Sequence, residues 1–161
     1  MLGVCAATDD PISGGRHKVF GHPRLAVIPQ TSTIASHLPR AVGVALSIDR
    51  AKKLGVRSPW PRDAVVVTSF GDASSNHSTA AGAINTACHC AHQHLPLPLL
   101  FVCEDNGLGI SVQTPTGWVR SAYGSRPHLK YFSADGCDLV DAYEVATEAV
   151  AWVRANRRPA F

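Results

Sequence analysis

Two polar turns, each directly after an apolar run, contain the residues of this chain that are best suited to hold a metal ion. The first turn follows "AVVVTSF" and begins with Gly71-Asp72, and the second follows "LPLLFVC" and reads "EDNGLG". Asp72 offers a carboxylate, Asn106 an amide oxygen, and the turn after Asn106 a main-chain carbonyl, for which Leu108 is the candidate. Oxygen ligands of these kinds suit Mg²⁺, which proteins commonly share with substrate phosphates.

The first turn also has the features of an anion site. Ala73, Ser74 and Ser75 are small enough for their backbone amides to approach a phosphate, and the start of the following helix favours a negative charge. Asp72 would repel that anion unless a cation lay between them. The two turns together therefore predict a metal and diphosphate site, whereas either turn alone is more often a purely structural turn.

The elements that must position these turns are strands of one sheet. Strands are predicted at residues 64–70, with both faces covered, at 97–103, and in "KYFSA"; helices are predicted at 36–54, 78–91 and 139–155, and "QTPTGWV" is predicted to be a surface loop. This order predicts an α/β fold with a mostly parallel sheet flanked by helices. The strand ends at Gly71 and Glu104 then lie at one edge, where open parallel sheets bind ligands.

Length and composition predict one domain and exclude several function classes. The 161 residues are 45% hydrophobic, which suits a single domain over residues 1–161, with an irregular lead-in at 1–27 and a core at 28–161. The net charge of +3 is spread along the chain rather than gathered in a basic stripe, so no nucleic-acid partner is expected. No apolar run approaches the roughly 18 residues that span a bilayer, so no membrane role is expected.

Cysteine usage and the two ends of the sequence complete this description. Five cysteines, an odd number, lie mostly in apolar or helical stretches with no secretory leader before them, which predicts reduced thiols in a cytoplasmic protein. The Gly-rich opening and the apolar ending "RRPAF" predict a domain that is incomplete at both ends, with its core truncated at the C terminus.

The segment "GDASSNHSTAAGAIN...LPLPLLFVCEDNGLGIS" resembles the thiamine-diphosphate motif of the alpha subunit of 2-oxo acid dehydrogenases. Upstream, "IPQTSTIASHLPRAVGVAL" is similar to the cofactor loop and following helix of that family, and "YFSADGCDLVDAYEVATEAVAWVR" to its next strand and helix. The resemblance covers nearly the whole chain from Ile28 onward and is branched-chain-like. It implies the thiamin-diphosphate-binding fold.

The resemblance implies a role for each matching residue of the two turns. Asp72 and Asn106 match the side-chain ligands of Mg²⁺, and Leu108 matches the position whose carbonyl completes the set. The amides of Ala73 and Ser74 match those that hold the diphosphate. Two positions depart from the family pattern, because alanine replaces the last glycine of Gly-Asp-Gly and aspartate replaces the first asparagine of Asn-Asn.

The upstream loop is implied to contact the cofactor and, in some branched-chain members, a potassium ion. Ser32 and Ile34 match cofactor contacts, with Ile34 beneath the thiamine rings. The potassium site would involve Thr31, Thr33, Ser36 and His37. The catalytic histidine loop of the family lies beyond Phe161, so the resemblance leaves the catalytic residues of this chain unassigned.

The implied activity is oxidative decarboxylation of a branched-chain or pyruvate-like 2-oxo acid, with acyl transfer to lipoamide. It implies two partners, which are a beta-type subunit or fused beta domain and a lipoyl-bearing acyltransferase. Two alternatives remain at this point. An inactive truncated or scaffold module fits the same features, whereas a nicotinamide-dependent Rossmann enzyme would need a Gly-x-Gly-x-x-Gly turn that "GDASSN" does not provide.

The cluster "CHCAHQH" invites a zinc interpretation, because it places Cys88, His89, Cys90, His92 and His94 within seven residues. On a helix, Cys88 shares a face with His92 and Cys90 with His94, so the two pairs point in different directions. Tetrahedral zinc usually takes ligands that converge from separate elements. The sequence therefore favours the end of a helix with buried cysteines and exposed histidines.

Overall fold

Two parallel strands carry both polar turns in the structure, a computed structural model that describes residues 2–17, 19–30 and 32–161. Strand β1 (Val66–Gly71) pairs with β2 (Leu99–Glu104), and Gly71 lies opposite Glu104 in the register. The predicted α/β class, with a parallel sheet and flanking helices, is confirmed. The prediction that both turns leave the sheet at the same edge is confirmed as well.

The three long helices lie close to their predicted ranges. They are α1 (His37–Lys53), α2 (Ser78–His92) and α4 (Leu139–Asn156). The side chain of Asp138 caps α4 by accepting hydrogen bonds from the amides of Val140 and Asp141. Ser36 occupies the N-cap position of α1, but its hydroxyl donates to the carbonyl of Thr33 (2.9 Å) instead of capping the helix.

Three short elements were not predicted. A 3₁₀ helix (Asp72–Asn76) follows β1, a hairpin of β3 (Leu108–Gly109) and β4 (Val112–Gln113) follows β2, and α3 (Trp118–Tyr123) follows the hairpin. The predicted loop "QTPTGWV" is thus wrong at its C-terminal end, because its last residues begin α3. The 3₁₀ helix and the hairpin are the elements that hold the two turns.

The helices α1 and α2 cover one face of the sheet and α4 covers part of the other. On the face covered by α1 and α2, small buried residues such as Ala41 and Ala83 pack in one hydrophobic cluster with Phe70 and Phe101 of the strands. On the opposite face, Leu100 packs with Ala149, Val153 and Ala160. Phe161 adds an aromatic layer, since its ring stacks on Tyr123 with centroids 4.5 Å apart.

Two details of the predicted sheet are wrong. Strand β1 is covered on one face only, because Thr68 and Phe70 are buried while Val67 is 55% exposed; α4 packs against β2 and leaves this face of β1 open. The segment "KYFSA" forms no full strand. It pairs with the chain end through a bridge between Lys130 and Ala160 and a hydrogen bond from the amide of Phe132 to the carbonyl of Phe161 (2.8 Å).

The described residues before position 31 lie mostly in turns and irregular segments, with a 3₁₀ helix at Pro23–Leu25. Among the helices of the described ranges, none has both the length and the apolar character that crossing a bilayer requires.

Candidate metal and diphosphate site

Asp72 is the centre of the candidate site and is completely buried, with 0% of its surface exposed. It begins the 3₁₀ helix directly after β1. Its Oδ1 accepts a hydrogen bond from the amide of Ala73 (2.9 Å), and its Oδ2 accepts one from the amide of Gly107 (3.2 Å) and one from the hydroxyl of Thr114. The carboxylate of the first turn is therefore held by residues of the second.

No positive side chain neutralises Asp72 in the described part of the chain. The two ion pairs found there join Arg154 to Asp63 and Arg157 to Asp49, away from this edge. Burying a carboxylate without a countercharge is costly, even when neutral donors satisfy it. The residues present therefore fit a divalent cation, which would supply the missing charge.

Asn106 and Leu108 are the candidate oxygen donors at the adjacent strand end. The Oδ1 of Asn106 accepts a hydrogen bond from the amide of Leu108 (3.0 Å), which closes an Asx turn. Gly107 between them has φ +74°, a conformation that glycine adopts without strain. An amide oxygen has two lone pairs, so Asn106 keeps one for a metal. Leu108 is 63% exposed in β3.

The predicted anion cradle is partly occupied by the protein itself. The amide of Ala73 already donates to Asp72, so a diphosphate would have to share or displace that bond, whereas the structure describes no such side-chain bond to the amide of Ser74. The hydroxyl of Ser75, only 2% exposed, has no hydrogen-bond partner among the described residues. Such an unpaired buried hydroxyl is unusual and leaves polar capacity beside the cradle.

The two turns pack closely together at Gly109 and Ala73. A Cβ atom added to Gly109 would lie 2.7 Å from the Cβ of Ala73, well inside van der Waals contact. The alanine that replaces the last glycine of the family motif is therefore accommodated because the opposing position is a glycine. The hairpin therefore packs against the 3₁₀ helix with no room for a further side-chain atom at Gly109.

The upstream loop reaches the same edge of the sheet through α1. The Nε2 of His37 lies 2.7 Å from the carbonyl oxygen of Ser69 in β1. Ser32 and Ile34, on the preceding loop, are exposed. Neither residue donates any of the hydrogen bonds described for Asp72, which come from Ala73, Gly107 and Thr114. Of the potassium candidates, Thr31 lies outside the described residues.

A separate cavity of about 250 Å³ lies between the N-terminal segment, α1 and β1. Its walls are mostly apolar, including Val27, Val44 and Val66, with His37 and Arg40 among the polar residues. Asp72 and Asn106 do not line it. The cavity therefore flanks β1 and is distinct from the oxygen donors at the strand ends.

The thiol of Cys103, near the end of β2, is held in its protonated form. Burial raises its pKa to about 12, and the negative charges of Asp105, Asp72 and Glu104 add to this effect. Because the folded chain favours the neutral thiol, this stabilisation is complete below the ordinary thiol pKa and is lost as the pH approaches 12. At neutral pH Cys103 is therefore not a nucleophile.

Alkylation kinetics test this assignment. In metal-free buffer at pH 9, iodoacetamide is expected to modify Cys103 at least about 100-fold more slowly than the exposed Cys137, because only the thiolate reacts. In urea the two cysteines should react at similar rates. Equal rates in the native chain, measured by peptide mass spectrometry, would contradict the protonated and half-buried state of Cys103.

The "CHCAHQH" segment ends α2, as its composition suggested. Cys88 and Cys90 are buried in the core, whereas His89 and His92 are exposed. The Nδ1 of His92 lies 3.3 Å from the Nε2 of His128. Within the described ranges, no group of three or more His, Cys, Asp or Glu side chains is placed to hold a metal. The candidate ligands at Asp72 are of another kind, since they are one carboxylate, one amide and one carbonyl.

Thr114 is the residue of this site that sequence reasoning missed. It follows β4 and is half-buried, and it reaches Asp72 across 42 positions of sequence. The tripeptide "QTP" contains no spacing that distinguishes this threonine from an ordinary turn residue. Only the return of the hairpin towards the 3₁₀ helix identifies it.

Comparison with known proteins agrees with the motifs. The sequence matches the dehydrogenase E1 component family over residues 1–161. It is 32% identical over 164 residues to the 2-oxoisovalerate dehydrogenase subunit alpha of Bacillus subtilis (strain 168), covering 99% of this chain and 46% of that protein. It is 30% identical over 147 residues to the mitochondrial subunit alpha 2 of Arabidopsis thaliana, covering 87% and 27%.

The human mitochondrial 2-oxoisovalerate dehydrogenase subunit alpha is 27% identical over 132 residues, covering 80% of this chain and 26% of that protein. The chain thus spans less than half the length of each of these relatives. The family resemblance that the two turns indicated is confirmed.

Proposed function

The chain belongs to the dehydrogenase E1 component family, and on that premise we propose that it supplies the diphosphate- and metal-binding half of a thiamine-diphosphate site. The observation that carries this proposal is the fully buried carboxylate of Asp72, which has no cationic partner in the described residues and lies at the sheet edge beside Asn106. A carboxylate in that position has a physical reason if Mg²⁺ joins it to an anionic ligand.

In this proposal each residue of the edge has a defined task. Asp72 and Asn106 bind Mg²⁺ through side-chain oxygens, and Leu108 through its main-chain carbonyl. The amides of Ala73 and Ser74, at the start of the 3₁₀ helix, bind the diphosphate. The metal neutralises Asp72 and the diphosphate together, so neither charge stays buried without a partner.

Ser32 and Ile34 are proposed to contact the organic part of the cofactor. Their loop precedes α1, and the contact between His37 and Ser69 joins the start of that helix to β1, the strand that leads to Asp72. The exposed Ile34 then offers an apolar surface for a ring. This arrangement would orient the cofactor between the upstream loop and the two turns.

The proposed reaction is the oxidative decarboxylation of a 2-oxo acid with acyl transfer to lipoamide. Thiamine diphosphate, when bound, supplies the electron sink that this chemistry requires. The names of the relatives favour 2-oxoisovalerate or a similar branched-chain substrate over pyruvate. The residues of this chain bind and orient the cofactor, while a beta-type subunit or domain completes the pocket and a lipoyl-bearing acyltransferase receives the acyl group.

Isothermal titration calorimetry tests the proposal. Thiamine diphosphate is titrated into the chain, alone and assembled with its beta-type partner, in buffer containing either Mg²⁺ or EDTA. We expect binding heat with Mg²⁺ and at least about a 100-fold weaker affinity in EDTA, because the metal links two anions that otherwise repel each other. Thiamine without its diphosphate should not bind in either buffer.

A matched variant distinguishes the proposed ligand from general surface charge. Asp105 is an exposed carboxylate beside Asn106 and is not one of the proposed ligands. Asp105→Ala should therefore bind thiamine diphosphate with the affinity of the parent chain. Binding to the assembled protein that is equally tight with Mg²⁺ and with EDTA would refute the metal site.

A further inference from the structure

Thr114 connects the two turns through both its backbone and its side chain. Its amide donates to the carbonyl of Gly107 (3.0 Å), which closes the hairpin, and its hydroxyl donates to Oδ2 of Asp72. The amide of Gly107 donates to the same Oδ2 (3.2 Å). One threonine thus shapes the second turn and fastens it to the carboxylate of the first.

The hydrogen bonds to Asp72 are unequal between its two oxygens. Each carboxylate oxygen has about two lone-pair sites. Oδ2 receives two donors, from Gly107 and Thr114, whereas Oδ1 receives only the amide of Ala73. The side chain is therefore fixed in rotation, and Oδ1 is the oxygen with acceptor capacity remaining.

From this asymmetry we infer that Thr114 is a positioning residue for the metal. Together with Gly107 it fills the acceptor sites of Oδ2 and so presents Oδ1 of Asp72 as the oxygen that binds a divalent cation. The inference rests on the proposed function and adds to it a residue that does not itself touch the metal. Outer hydrogen bonds of this kind orient carboxylate ligands, and their loss typically lowers metal affinity about 10- to 100-fold.

The geometry also explains why threonine suits this position. Valine has the same shape and would keep the packing of the half-buried side chain, but it cannot donate to Oδ2. Serine keeps the donor and loses only a methyl group. Thr116, two residues later and exposed, offers the same substitution with no bond to Asp72 described for it.

The test is a Mg²⁺ titration at fixed thiamine diphosphate, followed by calorimetry and intrinsic fluorescence in the full chain assembled with its beta-type partner. Thr114→Val is expected to raise the Mg²⁺ concentration for half-saturation about 10-fold or more. Thr114→Ser should remain within about twofold of the parent, since the donor is kept. Thr116→Val should leave the titration unchanged.

A second measurement follows the same bond without metal or cofactor. Hydrogen exchange of the Gly107 amide, observed by NMR in EDTA, reports whether Oδ2 stays in place. Thr114→Val should increase the exchange rate at Gly107 several-fold, while the amides of the buried strand β2 keep their protection. Thr114→Ser should restore protection at Gly107.

The outcomes separate this inference from the proposed function. If the parent protein shows no Mg²⁺-dependent binding, the proposed function is wrong and the inference falls with it. If the parent binds and Thr114→Val has the same Mg²⁺ dependence, the inference is overturned and the proposed function stands. If Thr114→Ser loses affinity as much as Thr114→Val, or if Thr114→Val loses protection throughout β2, Thr114 is only a structural residue.

Discussion

Asp72→Ala is expected to abolish Mg²⁺-dependent binding of thiamine diphosphate and, in metal-free buffer, to lower the free energy of unfolding by about 3 kcal/mol. The substitution removes the proposed metal ligand. It also leaves the amides of Ala73 and Gly107 and the hydroxyl of Thr114 without their shared acceptor. Buried donors without a partner are destabilising, so stability should fall even though a buried charge is removed.

Urea unfolding followed by circular dichroism, together with calorimetry, would measure both effects. Asp72→Asn serves as the informative comparison, because it keeps one acceptor oxygen and the shape of the side chain. It should lose metal-dependent binding while costing less stability than Asp72→Ala. If Asp72→Ala were as stable as the parent, the hydrogen bonds described for this carboxylate would not form in solution.

Gly109→Ala is expected to destabilise the chain by about 2 kcal/mol and to weaken Mg²⁺-dependent binding, because it overpacks the contact between the two turns. The new Cβ would lie 2.7 Å from the Cβ of Ala73, so the hairpin would have to move away from the 3₁₀ helix. That movement displaces Asn106 and Leu108 from Asp72 and separates the proposed ligands.

Ala73→Gly should rescue Gly109→Ala, because it removes the atom that the new methyl group would strike. The expected sign of the coupling is therefore favourable in a double-mutant cycle measured by urea unfolding. Gly82→Ala is the matched control, since its Cβ meets nothing within 4 Å on the exposed side of α2. It should be neutral or stabilising by about 0.5–1 kcal/mol. An equal loss in both single glycine variants would argue against a specific clash.

The sequence was sufficient to predict the elements whose signals are local. The Val-rich run before Gly71 and the apolar run before Glu104 predicted two parallel strands, and the pairing of Gly71 with Glu104 confirmed that their ends meet. The apolar spacing from Leu139 onward predicted α4, whose start Asp138 caps in the structure. The strands and helices were predictable because their signals, apolar runs and apolar spacing, lie within a few neighbouring residues of the sequence.

The features that were missed depend on residues far apart in sequence. Thr114 and Gly109 belong to a hairpin whose position against the 3₁₀ helix no local pattern specifies. The exposure of Val67 likewise depends on which strand α4 covers, and its apolar neighbours suggested burial on both faces. The proposed contacts with a cofactor stay predictions, because they involve a second molecule and not only the folding of this chain. They concern Ser32, Ile34, Asp72, Asn106 and Leu108.

The hydrogen bonds of Asp72 also set an order of events during folding. The bond from Ala73 joins neighbours in the chain and can form with the first turn of the 3₁₀ helix, whereas those from Gly107 and Thr114 span 35 and 42 positions. They join the segments that follow β1 and β2, so we expect them to form only once these strands pair. We therefore expect Asp72 to stay hydrated while the strands are unpaired, so that a partly folded chain would not present the assembled set of proposed metal ligands. A metal ion that binds only to the assembled set of ligands would stabilise the folded state and not the unfolded one.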